Sequence, residues 1–226
     1  MNISFIEHEN DVVFQLSEFD AKFIPVFEMC FYTKEGEKYT KRFSKDLPNL
    51  EKIMAYYRQN AETMFNQLGY FIEIPWEKAF LAFLDRVNGT NINWWLTGSV
   101  AACIRGIPFN PHDIDIMVDH ASIEEIEQIF SDVIIEPFID TQGWLTRDFG
   151  VLFLHARIDI ASDPVPALDD PEPIDCGPYA RDHLEMVEWH GYKIPVPPVE
   201  LQINANFRRG RMERVKLLQE YLHSGK

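Results

Sequence analysis

A hydrophobic strand that runs straight into Gly98-Ser99, followed about fifteen residues later by Asp113-Ile-Asp-Ile-Met-Val118, leaves this chain few options. Residues 92–97, Ile-Asn-Trp-Trp-Leu-Thr, read as a buried strand, and Val-Ala-Ala-Cys-Ile-Arg after Gly98-Ser99 reads as a short helix that stops at Gly106. A strand that turns into a helix through Gly-Ser presents free backbone N–H groups at the turn, and glycine lets a ligand come close to them. Such an end favours anions, phosphates above all. In the strand at 113–118, a period of two puts Asp113 and Asp115 on one face and Ile114, Ile116 and Val118 on the other. The apolar face has to be buried. The acidic face then carries two carboxylates that repel each other unless a cation sits between them.

Asp159, in Arg157-Ile-Asp-Ile160, has the same signature of an acid flanked by isoleucines in a strand. If its strand neighbours 113–118, three carboxylates converge. Hard oxygen ligands of this kind suit Mg²⁺ or Mn²⁺, which keep waters and add substrate phosphates to their shell. His155 and His183 lack a metal-ligand spacing with each other, so zinc is not indicated.

The stretch Trp95–Val118 resembles the signature of the DNA polymerase β-like nucleotidyltransferase superfamily: a hydrophobic strand, Gly-Gly or Gly-Ser, a short helix, Asp-x-Asp, and a third acid on a later strand. Its wording is most similar to the minimal branch with the aminoglycoside and lincosamide nucleotidyltransferases and the AbiE-type toxins. The resemblance covers about 94–162 and, weakly, the tail from Pro197, where that branch often has a Lys and this chain has Ile203-Asn-Ala-Asn206. It implies transfer of a nucleoside monophosphate from an NTP to an acceptor hydroxyl, with release of pyrophosphate. The β- and γ-phosphates would lie near Gly98 and Ser99. Asp113 and Asp115 would hold two Mg²⁺ ions, and Asp159 would ligate the catalytic ion and could orient or deprotonate the acceptor. Two metals stabilise both the entering and the leaving oxygens of such a displacement.

Other residues carry a bland reading beside a functional one. Ser99 can cap its helix and still touch a phosphate. Arg105 can complement the helix dipole or bind the nucleotide's phosphates, and His112 is a loop histidine or a substrate contact. Arg157 shares the face of Asp159, so it either pairs with the acids or reaches the triphosphate. Trp94 and Trp95 face opposite ways, as core residues or, less simply, as a base-stacking surface.

Charge narrows the partners. The chain has 36 acidic and 21 basic residues, a net −15. That argues against a broad-surface binder of duplex DNA or of an anionic membrane, though not against phosphates held through metal ions. Residues 163–188 contain eight acids and one Arg, and 208–216 contain five Arg or Lys and one acid. The acidic stretch reads as a solvated loop or a lid. Its sign disfavours RNA and tilts the expected acceptor toward a small cationic molecule. The basic tail is a wet helix face or a means of steering a triphosphate or RNA. A toxin-like enzyme that modifies RNA or protein, and a nucleotide-binding module without turnover, are the alternatives; three intact acids speak against the second. Cys30, Cys103 and Cys176 are too scattered for a disulfide framework, and no leader or membrane span is apparent, so a cytoplasmic location is expected.

The expected fold is α+β: a nucleotidyltransferase-like mixed sheet of about five strands with helices on one face and C-terminal helices after it. Residues 1–75 read as a β-rich and helical extension, 76–196 as the core and 197–226 as a helical tail. Within the extension, Phe23–Thr33 reads as strand, Gly36 as a turn and 48–68 as a helix. A second helix spans about 75–87. Ser122 and Glu125 have the spacing of a capping box, strands are expected at 133–139, 149–155 and 157–162, a hairpin turns near His190-Gly191, and helices follow at 197–208 and 211–222.

Overall fold

The computed structural model describes residues 1–224. Strands β1 (Asn2–Glu7), β2 (Asp11–Ser17), β3 (Thr33–Glu35) and β4 (Lys38–Ser44) form an antiparallel sheet in the order β1-β2-β4-β3, with helix α1 (Ile24–Met29) inserted before β3. Helices α2 (Leu50–Leu68) and α3 (Trp76–Val87) follow. The central sheet then assembles from β5 (Trp94–Thr97), β6 (Ile114–Val118), β7 (Ile134–Asp140), β8 (Asp148–Leu154) and β9 (Ala156–Ser162), with α4 (Gly98–Cys103) and α5 (Ile123–Ile129) between them. Its order is β5-β6-β9-β8-β7. The β6–β9 pair is parallel and the other pairs are antiparallel, so the sheet is mixed and the α+β class holds. A one-turn helix α6 (Pro178–Arg181), the hairpin of β10 (Glu185–Trp189) and β11 (Tyr192–Val196), and helices α7 (Val199–Arg208) and α8 (Met212–His223) complete the chain.

Alternation along the strands sorts the central sheet into two faces. Trp94, Leu96, Ile116 and Val118 point to one of them, where Phe80 and Phe83 of α3 meet Trp94 edge-on at 6.3 and 5.4 Å. Ile114, Ile116 and Val118 are fully buried there, and each contributes about 1.5–3 kcal/mol by leaving water. The other face carries the acids. The N-terminal sheet does not stand apart: Val12, Phe14 and Leu16 share one hydrophobic core with Ile116, Leu152 and Ile160. A smaller cluster of Ala102, Ile107, Val199 and Leu218 seats the tail helices against α4. Among the described residues, no helix is long and apolar enough to cross a membrane.

Two local expectations fail for physical reasons. Phe23–Thr33 is rich in strand-forming residues, yet it begins with a 3-10 turn at Ala21–Phe23 and α1, and only Thr33 is strand. Phe23, Val26, Phe27 and Cys30 are the buried positions. They recur at helical spacing, and Pro25 sits in the first turn where its missing N–H costs nothing. Ser122 stands at the N-cap position of α5, as the spacing predicts, but the capping box does not form. It lies in a 3-10 turn, His120–Ser122, that runs directly into α5, and its side chain makes no capping bond. Here Asp163 Oδ1 accepts the N–H of His120 instead.

Candidate active site

The acids meet because of strand register. Thr97 of β5 lies opposite Asp115 of β6, Asp115 lies opposite Asp159 of β9, and Asp159 lies opposite Val151 of β8. Opposed residues share a face, so Asp115 and Asp159 project side by side, with Asp113 just ahead of the strand. Ligand oxygens of Asp113, Asp115 and Asp159 all lie within 4.8 Å of one another. Burial drives the Asp115 carboxyl well above the usual carboxylate range, and repulsion from Asp113, Asp159 and Asp175 adds to it. Asp159 is pushed up to about 6, chiefly by burial, although Arg157 pulls the other way. Carboxylates forced together and desolvated are held at a cost that a cation would relieve.

Gly98 makes the approach possible. Its φ is +66°, and a Cβ built there would lie 2.0 Å from Asp115 Oδ2. Any side chain would both strain the turn and strike the carboxylate. Helix α4 starts at Gly98 itself, and Ser99 is buried in its first turn. The Gly98 N–H donates to Asp175 Oδ2 at 3.2 Å, and the Thr97 hydroxyl donates to the Asp175 carbonyl at 3.2 Å. From α7, Gln202 Nε2 donates to the Gly98 carbonyl at 2.7 Å.

The two candidate arginines part company. Arg157 is 4 % exposed. Its guanidinium grips Asp159 with two bonds, Nε to Oδ1 at 2.5 Å and an Nη to Oδ2 at 3.2 Å, while another Nη reaches the Cys30 sulfur at 3.4 Å. It therefore pairs with the acid cluster. Arg105 is not brought to the cluster: past the far end of α4, it donates to Glu185 Oε2 and to the Pro197 carbonyl, both at 2.8 Å. His112 lies beside Asp113, with Nδ1 3.2 Å from Oδ1, and its ring is parallel to that of Tyr70.

Three further groups were not legible as members of the site. Asp175, from the acidic loop, is a fourth carboxylate beside Asp115, and it is buried where the other three are half-buried. Arg209 offsets the charge on Asp115, and Arg211, in the turn between α7 and α8, feels Asp113 and Asp115 as well as Arg209 and Arg214. His112, Arg211 and Arg214 line a cavity of about 430 Å³ next to the acids. The only signal in the sequence was composition, an acidic loop and a basic tail. Nothing local said that both would close on the same sheet edge.

Residues 79–165 match the family model of aminoglycoside-2''-adenylyltransferases. Among solved structures, the chain resembles a Thermotoga maritima protein named as a nucleotidyltransferase, with 28% identity over 68% of this chain and 96% of that one and a TM-score of 0.48. It also resembles the lincomycin-bound lincosamide adenylyltransferase LnuA, with 19% identity over 64% and 97% and a TM-score of 0.45. The solution structure of the antibiotic-resistance factor ANT(2'')-Ia follows, with 14% identity over 66% and 83% and a TM-score of 0.43. No curated protein sequence matches the chain.

Proposed function

We propose that this chain, whose core belongs to the nucleotidyltransferase superfamily, moves a nucleoside monophosphate from an NTP to a hydroxyl of a small-molecule acceptor. The observation that carries the reading is the convergence of Asp113, Asp115 and Asp159 within 4.8 Å, directly beside the Gly98-Ser99 turn.

The donor set fits Mg²⁺ or Mn²⁺: three hard carboxylates, no sulfur or imidazole among them, and a buried excess of negative charge. Asp113, Asp115 and Asp159 would hold the metal, in the two-ion arrangement that this chemistry uses. Bound there, it supplies charge neutralisation at the phosphates and activation of the acceptor oxygen. The remaining work belongs to the chain. Gly98 and Ser99 bring backbone N–H groups to the β- and γ-phosphates, and Arg209 and Arg211 add positive charge on the same side. Asp159, held in one orientation by the bidentate Arg157, takes the acceptor proton. In this reading Arg157 is a positioning residue for Asp159 and not a nucleotide contact. Arg105 ties the end of α4 to Glu185 and Pro197. Positioning and fixed charge provide most of the rate in phosphoryl transfers of this type.

A small-molecule acceptor is supported by the family match and by the acidic loop, whose charge repels RNA. The test is label transfer from α-labelled NTPs with Mg²⁺ to small hydroxylated acceptors, total RNA and protein. Labelled small acceptor and released pyrophosphate are expected, and both are lost in Asp115→Ala. Calorimetry that shows neither NTP nor Mg²⁺ binding would overturn the reading.

A further inference from the structure

On the acidic face of the central sheet, on the far side of β9 from β6, the chain has built a second feature. Phe31, Ile139, Trp144 and Phe149 wall a cavity of about 320 Å³, with Lys41 at its edge. Phe149 lies opposite Ala161, two residues along β9 from Asp159 and on the same face. With a strand rise of roughly 3.3 Å per residue and a spacing of about 4.8 Å between strands, the Phe149 backbone is about 8 Å from that of Asp159. Asp159 does not itself line the cavity, and the Phe149 wall is the part of it that stands nearest the acid along the sheet.

Its aromatic walls are costly to keep. Phe31 is 58 % exposed and Trp144 59 %, and their rings meet edge-to-face at 5.0 Å. Phe31 also has a φ of +62°. It follows the end of α1, at a left-handed position that glycine fills most easily. A bulky residue kept in strained backbone, with its ring in water, calls for something that covers it. The volume lies in the range of small-molecule sites.

Charge selects the occupant. Lys41 is the one charged residue in the lining, and it is already paired with Glu136 at 2.5 Å. No carboxylate lines the cavity, and the Thr141 hydroxyl is spent on the Thr146 carbonyl. A polycation finds no partner here, whereas an apolar ring does. Lys41 also donates to the Cys30 carbonyl at 3.1 Å, and the Cys30 sulfur receives Arg157, which holds Asp159. The wall and the acid thus belong to one connected structure. Phe31 and Lys41 lie outside residues 79–165, so the N-terminal region completes a cavity whose other walls, Ile139, Trp144 and Phe149, fall within the matched segment.

From this we infer that the cavity is the acceptor subsite, and that the acceptor is an uncharged or singly charged hydroxyl compound with an apolar or aromatic ring system rather than a polyamine. The inference rests on the nucleotidyl-transfer reading above and replaces the cationic acceptor that the acidic stretch at 163–188 suggested.

Binding of a naphthyl glucoside and of an aminoglycoside to the full chain, followed by calorimetry without nucleotide, tests it, with label transfer to the glucoside measured separately. Phe31→Ser and Trp144→Ser change exposed side chains, so the fold is retained. The glucoside is expected to bind and to accept label, and each variant to weaken its binding at least tenfold while NTP affinity stays unchanged. Absence of glucoside binding, binding unaffected by both variants, or aminoglycoside binding that depends on Phe31 and Trp144 would overturn the inference. Glucoside bound normally by a chain that fails to bind NTP would overturn the acceptor role through the parent reading, and NTP affinity reports that case by itself.

Discussion

Asp115 is the most loaded residue of the molecule. It is buried against Asp113, Asp159 and Asp175, and its carboxyl is pushed well above the usual range, first by burial and then by those neighbours. A carboxylate raised in the folded state costs stability at neutral pH, because the unfolded chain ionises freely there. Asp115→Asn keeps the shape and removes the charge. The metal-free variant is expected to melt higher by about 2–4 °C, the response of a domain of this size to about 1 kcal/mol. Nucleotidyl transfer should fall by about 10²–10³-fold or more, as with the loss of a central electrostatic group. Mg²⁺ should raise the melting temperature of the wild type and leave the variant unmoved. Thermal melts with and without Mg²⁺ read all of this, and a variant that melts lower without metal would show that Asp115 stabilises the fold. The placement of this residue was legible in the sequence because it is local: Asp-Ile-Asp-Ile needs only the period of a strand to put its acids on one face. Asp175 was not visible. It meets Gly98 across 77 residues of chain, and only the folding of the acidic loop over β5 makes that contact.

At the scale of elements, what could be read followed the reach of each signal. The strands at 94–97, 114–118 and 156–162 and the helices at 50–68 and 76–87 have periodicities contained within themselves. Helix α1 was obscured by Phe, Val and Ile, whose preference for strands is a weaker determinant than the burial pattern of Phe23, Val26, Phe27 and Cys30. The convergence of α7 and α8 on the acids depends on packing between Ala102, Ile107, Val199 and Leu218, which no local pattern announces. The same closure gives a prediction for the turn into α4. The Gly98 N–H is taken by the Asp175 carboxylate, so a nucleotide phosphate has to displace a negative charge from the donor it needs. Asp175→Asn keeps an acceptor oxygen and removes the repulsion. It should tighten NTP binding roughly tenfold, equivalent to about 1.4 kcal/mol. Calorimetric titration with a non-hydrolysable NTP measures it, and weaker binding would mean that Asp175 helps to build the nucleotide site.

Over the whole molecule, the N-terminal sheet and the central sheet are joined by a buried polar network that no motif suggested. Glu136 of β7 is 1 % exposed. It receives Lys41 from β4 at 2.5 Å and the Tyr32 hydroxyl at 3.0 Å, and Tyr32 and Tyr57 share a hydrogen bond of 2.7 Å. Burial alone would raise the Glu136 carboxyl, but Lys41 and Arg157 outweigh it and hold it below its ordinary value of 4.5. An acid lowered in the folded state contributes stability above its unfolded value and loses it as pH falls through the folded one. At neutral pH, Glu136→Gln leaves the buried charges of Lys41 and Arg157 short of their counter-ion and should cost about 3–5 kcal/mol. That difference should begin to shrink as pH drops below 4.5 and close only below the depressed folded value, where the folded wild type also loses its carboxylate. Urea denaturation of both proteins between neutral pH and the acid limit of folding gives the difference directly. A gap that stays constant across the acid range would assign the cost to packing and not to charge. Because Arg157 carries this network to Asp159, the variant should also lower turnover while leaving NTP affinity intact, which would tie the N-terminal region to the chemistry through the third acid.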